Sequence, residues 1–283
     1  MLRQLSRATS IFLDLYQLNP VHPDLKLLGE IALSYGNLPW ENLTKYLKKH
    51  QTQTAIPAIP EHLPDSPEVT KLRLSEEVMI DHARLGTGGT CFSLTNTLRQ
   101  ITSELGFRAY PVMADMRHGP DIHCGLVVEL ENKKYLLDPG YLLIEPVPLH
   151  QNSTVKVRFP GHRLEYRPVD GHGEIELYTV SDRNEEVFRY RLRPWRIPED
   201  HFLKCWLESF DATGMNGLHL NRVTSDGRLS AHNLNLRIDT GHGKLNLKLR
   251  EGYVDKVSKR FGIDSTLVRR AYKEWKQQRC RRE

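Results

Sequence analysis

The sequence predicts an α+β protein in three parts, helical at the N-terminus, antiparallel β in the centre and mixed helix and strand at the C-terminus. Three observations predict it. Apolar residues recur at helical spacing through residues 2–35 and again after Cys91. From 107 the pattern changes to runs rich in Val, Ile, Leu, Phe and Tyr joined by tight polar connections. After 194 both patterns alternate. A chain of 283 residues exceeds the usual size of one unit, and the expected parts are 1–106, 107–193 and 194–283.

Leu5, Ala8, Phe12, Leu15 and Leu18 give the first amphipathic helix; Leu25, Leu28, Ile31, Ala32 and Tyr35 give the second, with Pro23 in its first turn. After Gly36 the segment Asn37 to Leu43 turns into a short helix ending in the lysines near 48. Pro57, Pro60, Pro64 and Pro67 forbid regular structure over 51–67. Helix is expected to resume over 68–84. Gly86, Gly88 and Gly89 then precede Cys91, whose helix carries Leu94, Leu98, Ile101 and Leu105 on one face and ends at Gly106.

Strands are expected over 107–116, 122–130 and 134–137, the last two joined as a hairpin at Glu131-Asn132-Lys133. Further strands near 154–159, 174–180 and 186–192 suggest a small barrel or strongly curved sheet. In the last third a helix from Pro198 to Glu208 precedes strands near 217–223, 228–237 and 244–249, with turns at 225–227 and 240–243. Helices over 251–261 and 264–280 close the chain.

Apolar residues make up 39% and charged residues 27%, the balance of a folded protein rather than a disordered one. No unbroken apolar run has the length of a signal core or a membrane span. A cytoplasmic protein is expected, without membrane partners. The formal charge of +5 resides in residues 256–283, where ten Lys or Arg face Asp264, Glu274 and Glu283. Such a helix reads as a solvated face rather than a nucleic-acid site. The four cysteines, at 91, 124, 205 and 280, show no paired spacing, which excludes a disulfide framework and a zinc ribbon. A site built from Asp121, His123 and Cys124 is disfavoured because neighbouring strand residues point to opposite faces, and no metal is expected.

Cys91 stands out by position. A thiol at a helix start meets the positive end of the peptide dipoles and free N–H donors, both of which favour the thiolate. No Asp or Glu between Gly86 and Ser103 opposes this. In the hairpin, a turn at Glu131-Asn132 pairs residues summing to 263, a turn at Asn132-Lys133 residues summing to 265. In either register Asp138 and His123 project from the same face, and the tighter one makes them diagonal neighbours. Cys91, His123 and Asp138 thus form a candidate triad: the acid orients the imidazole, and the imidazole takes the thiol proton.

At these residues the sequence resembles the arylamine N-acetyltransferases, in the broader papain/transglutaminase-like group of Cys-His-Asp enzymes. The similar segments are Pro39-Trp40-Glu41-Asn42-Leu43, Gly88-Gly89-Thr90-Cys91-Phe92, Ile122-His123, Leu137-Asp138-Pro139-Gly140-Tyr141, Asp226-Gly227-Arg228 and Phe261-Gly262-Ile263. The resemblance implies a helical bundle carrying Cys91, an antiparallel β-barrel carrying His123 and Asp138, and a C-terminal α/β lid. It also implies acetyl-CoA as cosubstrate, ping-pong transfer to an aromatic amine or hydrazine, and substrate contacts from Trp40 and Phe92.

Two departures alter the expected charged network. The family usually has Arg before the Gly-Gly pair and Glu two residues after the Cys; Thr87 and Ser93 stand here. Arg84 pairing with Glu41 is the expected substitute for the missing cation. Pro139 after the acid leans toward transglutaminase-like hydrolases. An amidase or amide synthase using the same triad, and a binding protein with a degenerate site, are the alternatives.

Overall fold

The computed structural model describes residues 5–50, 68–150, 152–159, 162–169, 171–181, 183–240 and 243–281. The proline-rich segment 51–67 and the tip of the 240–243 turn lie outside them.

Helices α1 (Arg7–Tyr16) and α2 (Leu25–Tyr35) open the chain, each started by a side-chain cap, Ser6 accepting from the Thr9 N–H and Asp24 from the Leu27 N–H. Asp24 caps α2, and Pro23 therefore sits just outside the helix rather than in its first turn. Strand β1 (Trp40–Glu41) and helix α3 (Leu43–His50) follow. The helix expected over 68–84 is broken. A 3-10 turn at Val69–Lys71 is followed by extended residues that turn the Arg73 side chain inward, and α4 (Ser75–Leu85) starts only after them.

Helix α5 (Cys91–Glu104) packs with α1, α2 and α4 around Phe12, Leu28, Ile31, Met79, Leu94 and Ile101. The Tyr35 hydroxyl donates to the Leu94 carbonyl at 2.8 Å, locking α2 to the first turns of α5. Leu126, Val128 and Leu137 from the neighbouring sheet complete this core, so the helical layer and the barrel wall share apolar surface.

That sheet has eight antiparallel strands: β2 (Arg108–Met116), β3 (Gly119–Leu130), β4 (Lys133–Leu137), β5 (Val147–Pro148), β6 (Val155–Phe159), β7 (His162–Pro168), β8 (Ile175–Val180) and β9 (Glu186–Leu192). Their order is β5-β4-β3-β2-β9-β8-β7-β6, and the outer strands β5 and β6 approach each other, nearly closing a barrel. Tyr110, Val127, Leu136, Tyr166, Leu177 and Tyr190 fill it. Strand β7 was not expected, since its Arg, Glu and Tyr alternate without an apolar run; Leu164 and Tyr166 join the barrel core.

Helix α6 (Glu199–Glu208) leads to a five-stranded sheet, β1-β10-β11-β12-β13, with β10 (His219–Thr224), β11 (Gly227–His232), β12 (Asn235–Thr240) and β13 (Gly243–Lys248). The run expected as one strand over 228–237 is a hairpin, because Asn233 adopts φ 50° and its side chain accepts from the Leu218 N–H at 2.9 Å. Helices α7 (Tyr253–Phe261) and α8 (Ser265–Cys280) cover one face of this sheet, and α3 packs there as well, its Leu43, Tyr46 and Leu47 joining Val257, Phe261 and Trp275. Among the described residues no helix is long and apolar enough to cross a membrane.

Candidate active site

The β3–β4 hairpin adopts the tighter of the two registers. Leu126 pairs with Leu137, and the two-residue turn holds Glu131 and Asn132 at φ 49° and 60°. Asp138 follows the last paired residue and His123 lies diagonally across, so His123 Nε2 donates to Asp138 Oδ2 at 3.0 Å. The other Asp138 oxygen accepts from the Tyr141 N–H at 3.0 Å. Tyr190, on β9, donates its hydroxyl to Oδ2 at 2.8 Å and stacks on the His123 ring with centroids 4.9 Å apart. Asp138 is 1% exposed and takes three protein donors, which holds it as a fixed acceptor.

Cys91 is the first residue of α5, and the N-cap Thr90 makes no side-chain capping bond, so the dipole end and first-turn N–H groups face the thiol uncapped. With Nε2 committed to Asp138, the other ring nitrogen is the one left to serve Cys91, whose thiol interacts with the His123 ring. Gly140 makes this approach possible. A Cβ there would lie 2.6 Å from His123 Cε1 and 3.0 Å from Cys91 Cβ, so any side chain would wedge the pair apart.

The charges favour a thiolate–imidazolium pair. The Cys124 thiol beside Cys91 and the His123 ring lower the Cys91 pKa well below the usual thiol value, with Lys45 adding to this, and together they overcome the burial that opposes it. For His123, burial disfavours the charged ring, but the Asp138 carboxylate and the Cys91 thiolate outweigh burial and raise its pKa to about 10. Burial pushes Cys124 the opposite way, well up, so it stays a thiol. Lys45, from α3, is lowered by burial to about 8 and is held by the Ser209 hydroxyl at 2.6 Å.

The expected Arg84–Glu41 pair does not form. Arg84 is exposed, and the cation comes instead from Arg73, 4% exposed, which lies 3.5 Å from Glu41, donates to the Gly88 carbonyl at 2.5 Å and to Thr44 at 3.0 Å, and pairs with Asp81 at 2.8 Å. Arg84 on the outer face of α4 cannot reach inward, whereas the break before Ser75 aims Arg73 at the glycines. This explains the Pro39–Leu43 segment residue by residue. Pro39 contacts Gly88 so closely that a Cβ there would lie 1.9 Å from the Pro39 carbonyl oxygen. Glu41 binds Arg73 and caps α3 through the Thr44 N–H at 3.0 Å. Asn42 holds the carbonyl of Gly217 and the N–H of His219, both at 2.8 Å, tying this loop to β10. Thr87 and Ser93 are buried and neutral, Ser93 donating to the Thr90 carbonyl at 3.1 Å.

Cys91, His123 and Gly140 open onto a cavity of about 610 Å³ between the barrel and the second sheet. Trp40 lines it. Phe92 does not: it is 1% exposed and packs against Phe202 at 5.5 Å on the far side of α5. The outer walls carry Arg189, Arg228, Arg237 and Lys244 against Glu185 and Asp239. Tyr190, Lys45, Arg73 and these cavity cations were missed from sequence. Each lies far along the chain from the residue it serves, so no local spacing marks it; the extended residues between the 3-10 turn and α4 are the one feature that would have pointed to Arg73.

An N-acetyltransferase family profile matches residues 38–268. Solved structures of similar fold include the arylamine N-acetyltransferase from Mycobacterium abscessus, at 17% identity and TM-score 0.73 over 93% of this chain and 94% of that one. The enzyme from Salmonella typhimurium gives 15% and 0.72 over 95% and 99%. That from Mycobacterium marinum in complex with CoA gives 18% and 0.72 over 94% and 98%. No curated protein matches the chain in sequence. The structural likenesses establish the fold, and the profile, spanning the Pro39 loop, helix α5, the barrel and the second sheet, establishes the family: the chain belongs to the arylamine N-acetyltransferases.

Proposed function

We propose that the protein transfers an acetyl group from acetyl-CoA to an arylamine or hydrazine in two half-reactions through a thioester on Cys91. The observation that carries this reading is the convergence of a helix-start thiol lowered toward its thiolate and an imidazole oriented by Asp138 at the floor of one cavity. Membership of the family supports acyl transfer over amide hydrolysis. The relative from Mycobacterium marinum that holds CoA supports the donor, as does the excess of cations over acids on the outer cavity wall.

In the first half-reaction the Cys91 thiolate attacks the thioester carbonyl, and the oxyanion develops beside the uncapped first-turn N–H groups of α5. Collapse breaks the bond to the CoA sulfur, which takes the proton held by His123. In the second, the amine attacks the Cys91 thioester and His123, now neutral, accepts its proton. The amide leaves, and the thiolate and imidazolium are restored. In this reading residues 1–106 supply the nucleophile, 107–193 the proton-transfer pair and 194–283 the outer wall, with Trp40 flanking the acceptor. The four free thiols fit a reducing, cytoplasmic setting.

Intact-mass analysis tests it. Acetyl-CoA alone should add one acetyl group, mapped to Cys91, and an added arylamine or hydrazine should remove it while forming the amide. An unmodified Cys91, or an acetyl lost to water at the same rate with and without amine, would overturn the reading.

A further inference from the structure

A second grouping of cysteine, histidine and aspartate lies behind the catalytic one. Asp121 lies near the start of β3, held at φ 54° within the irregularity between the Met116–Gly119 and Ala114–His123 pairs. His201 and Cys205 are four residues apart on α6 and so share one helix face. The Asp121 Oδ2 to His201 Nε2 distance is 3.0 Å, His201 Nε2 to Cys205 Sγ is 3.7 Å, and the three donor atoms lie within 4.8 Å of one another. None of the three lines the catalytic cavity.

We propose that Asp121, His201 and Cys205 bind a thiophilic divalent cation of the zinc class. The arrangement is not a second catalytic relay, because carboxylate and thiol converge on the same imidazole nitrogen, whereas a relay uses both nitrogens. Convergence is what chelation requires. Tetrahedral zinc with bonds of about 2.0 Å to oxygen and nitrogen and about 2.3 Å to sulfur sets its ligand atoms about 3.3–3.6 Å apart, close to the 3.0 and 3.7 Å found. The other Asp121 oxygen is held by Arg193, which also pairs with Asp115 at 3.1 Å, an outer contact that orients the carboxylate. With the Cys205 thiolate, both carboxylates and the guanidinium, a dication closes the charge balance to neutral. Binding releases the thiol proton to solvent, and the half-exposed His201 leaves a fourth position open to water. The bound ion would fasten α6, and with it the Phe202 and Trp206 layer beneath Phe92, to the start of β3.

The test uses full-length Cys91→Ala protein, stripped with chelator and titrated with Co2+, so that the reactive thiol cannot compete. The expected result is a thiolate-to-cobalt charge-transfer band with tetrahedral visible bands, saturating at one equivalent and erased by Zn2+. It should be lost in both His201→Ala and Cys205→Ser; His201→Ala, at a half-exposed position, decides if the serine variant does not fold. Absence of the band in the parent, or its persistence in His201→Ala with native unfolding behaviour, overturns the proposal.

Discussion

The molecule holds two sets of Cys, His and Asp, and their difference shows how geometry rather than composition sets chemistry. In the first, Asp138 takes one nitrogen of His123 across a hairpin and leaves the other for the thiol at a helix start, which is pushed toward its thiolate. In the second, Asp121 and Cys205 crowd one nitrogen of His201, and Cys205, mid-helix, is raised by burial and by Asp121 to about 11. The first can pass a proton along a line. The second can only share one, or hold a cation in its place.

Substitutions that break this contrast should fall in a definite order. Replacing Cys91 with Ser should lower kcat/KM for acetyl transfer on the order of 10⁴-fold or more, since a hydroxyl at this position keeps its proton. Asp138→Asn should cost roughly 10²–10⁴-fold in kcat by freeing the His123 tautomer, with the fold retained by circular dichroism. Arg73→Met should destabilise the protein by about 3–5 kcal/mol in urea unfolding, because Glu41 would be left buried without its cation; Arg84→Ala, at an exposed site, should leave the unfolding curve in place. Tyr190→Phe removes one of the donors to Asp138, and kcat should fall about tenfold, the equivalent of one hydrogen bond to a charged group. Cys205→Ser should leave acetyl transfer in metal-free buffer unchanged, which separates the two groupings.

Much of the candidate site was legible because it rests on short-range geometry. A glycine-rich turn before an apolar helix places Cys91, and hairpin parity places His123 and Asp138 on one face. That Cys91 joins the hairpin pair rested on the resemblance to the family, not on local spacing. The supporting residues escaped for the opposite reason. Tyr190 meets Asp138 across 52 residues of sequence and Arg73 meets Glu41 from a break that helical periodicity smooths over. Arg84 stood in as the replacement cation, and Phe92 came with the family's motif around Cys91, although consecutive helix residues diverge by about 100°. In the fold, β7 and the Asn233 turn were missed where polar alternation and a single left-handed asparagine carry the signal.

The most direct test of the central claim is the pH dependence of iodoacetamide labelling at each cysteine, read by peptide mass spectrometry. The thiolate is the reactive form, so a pKa lowered by Cys124, His123 and Lys45 keeps Cys91 reactive as pH falls below the free-thiol value of about 8.5. The account predicts that Cys91 labels fast and nearly independently of pH through neutrality, while Cys205 labels only toward alkaline pH. A Cys91 rate that rises through about 8.5 like a free thiol, or that does not exceed the Cys205 rate at neutral pH, would contradict it.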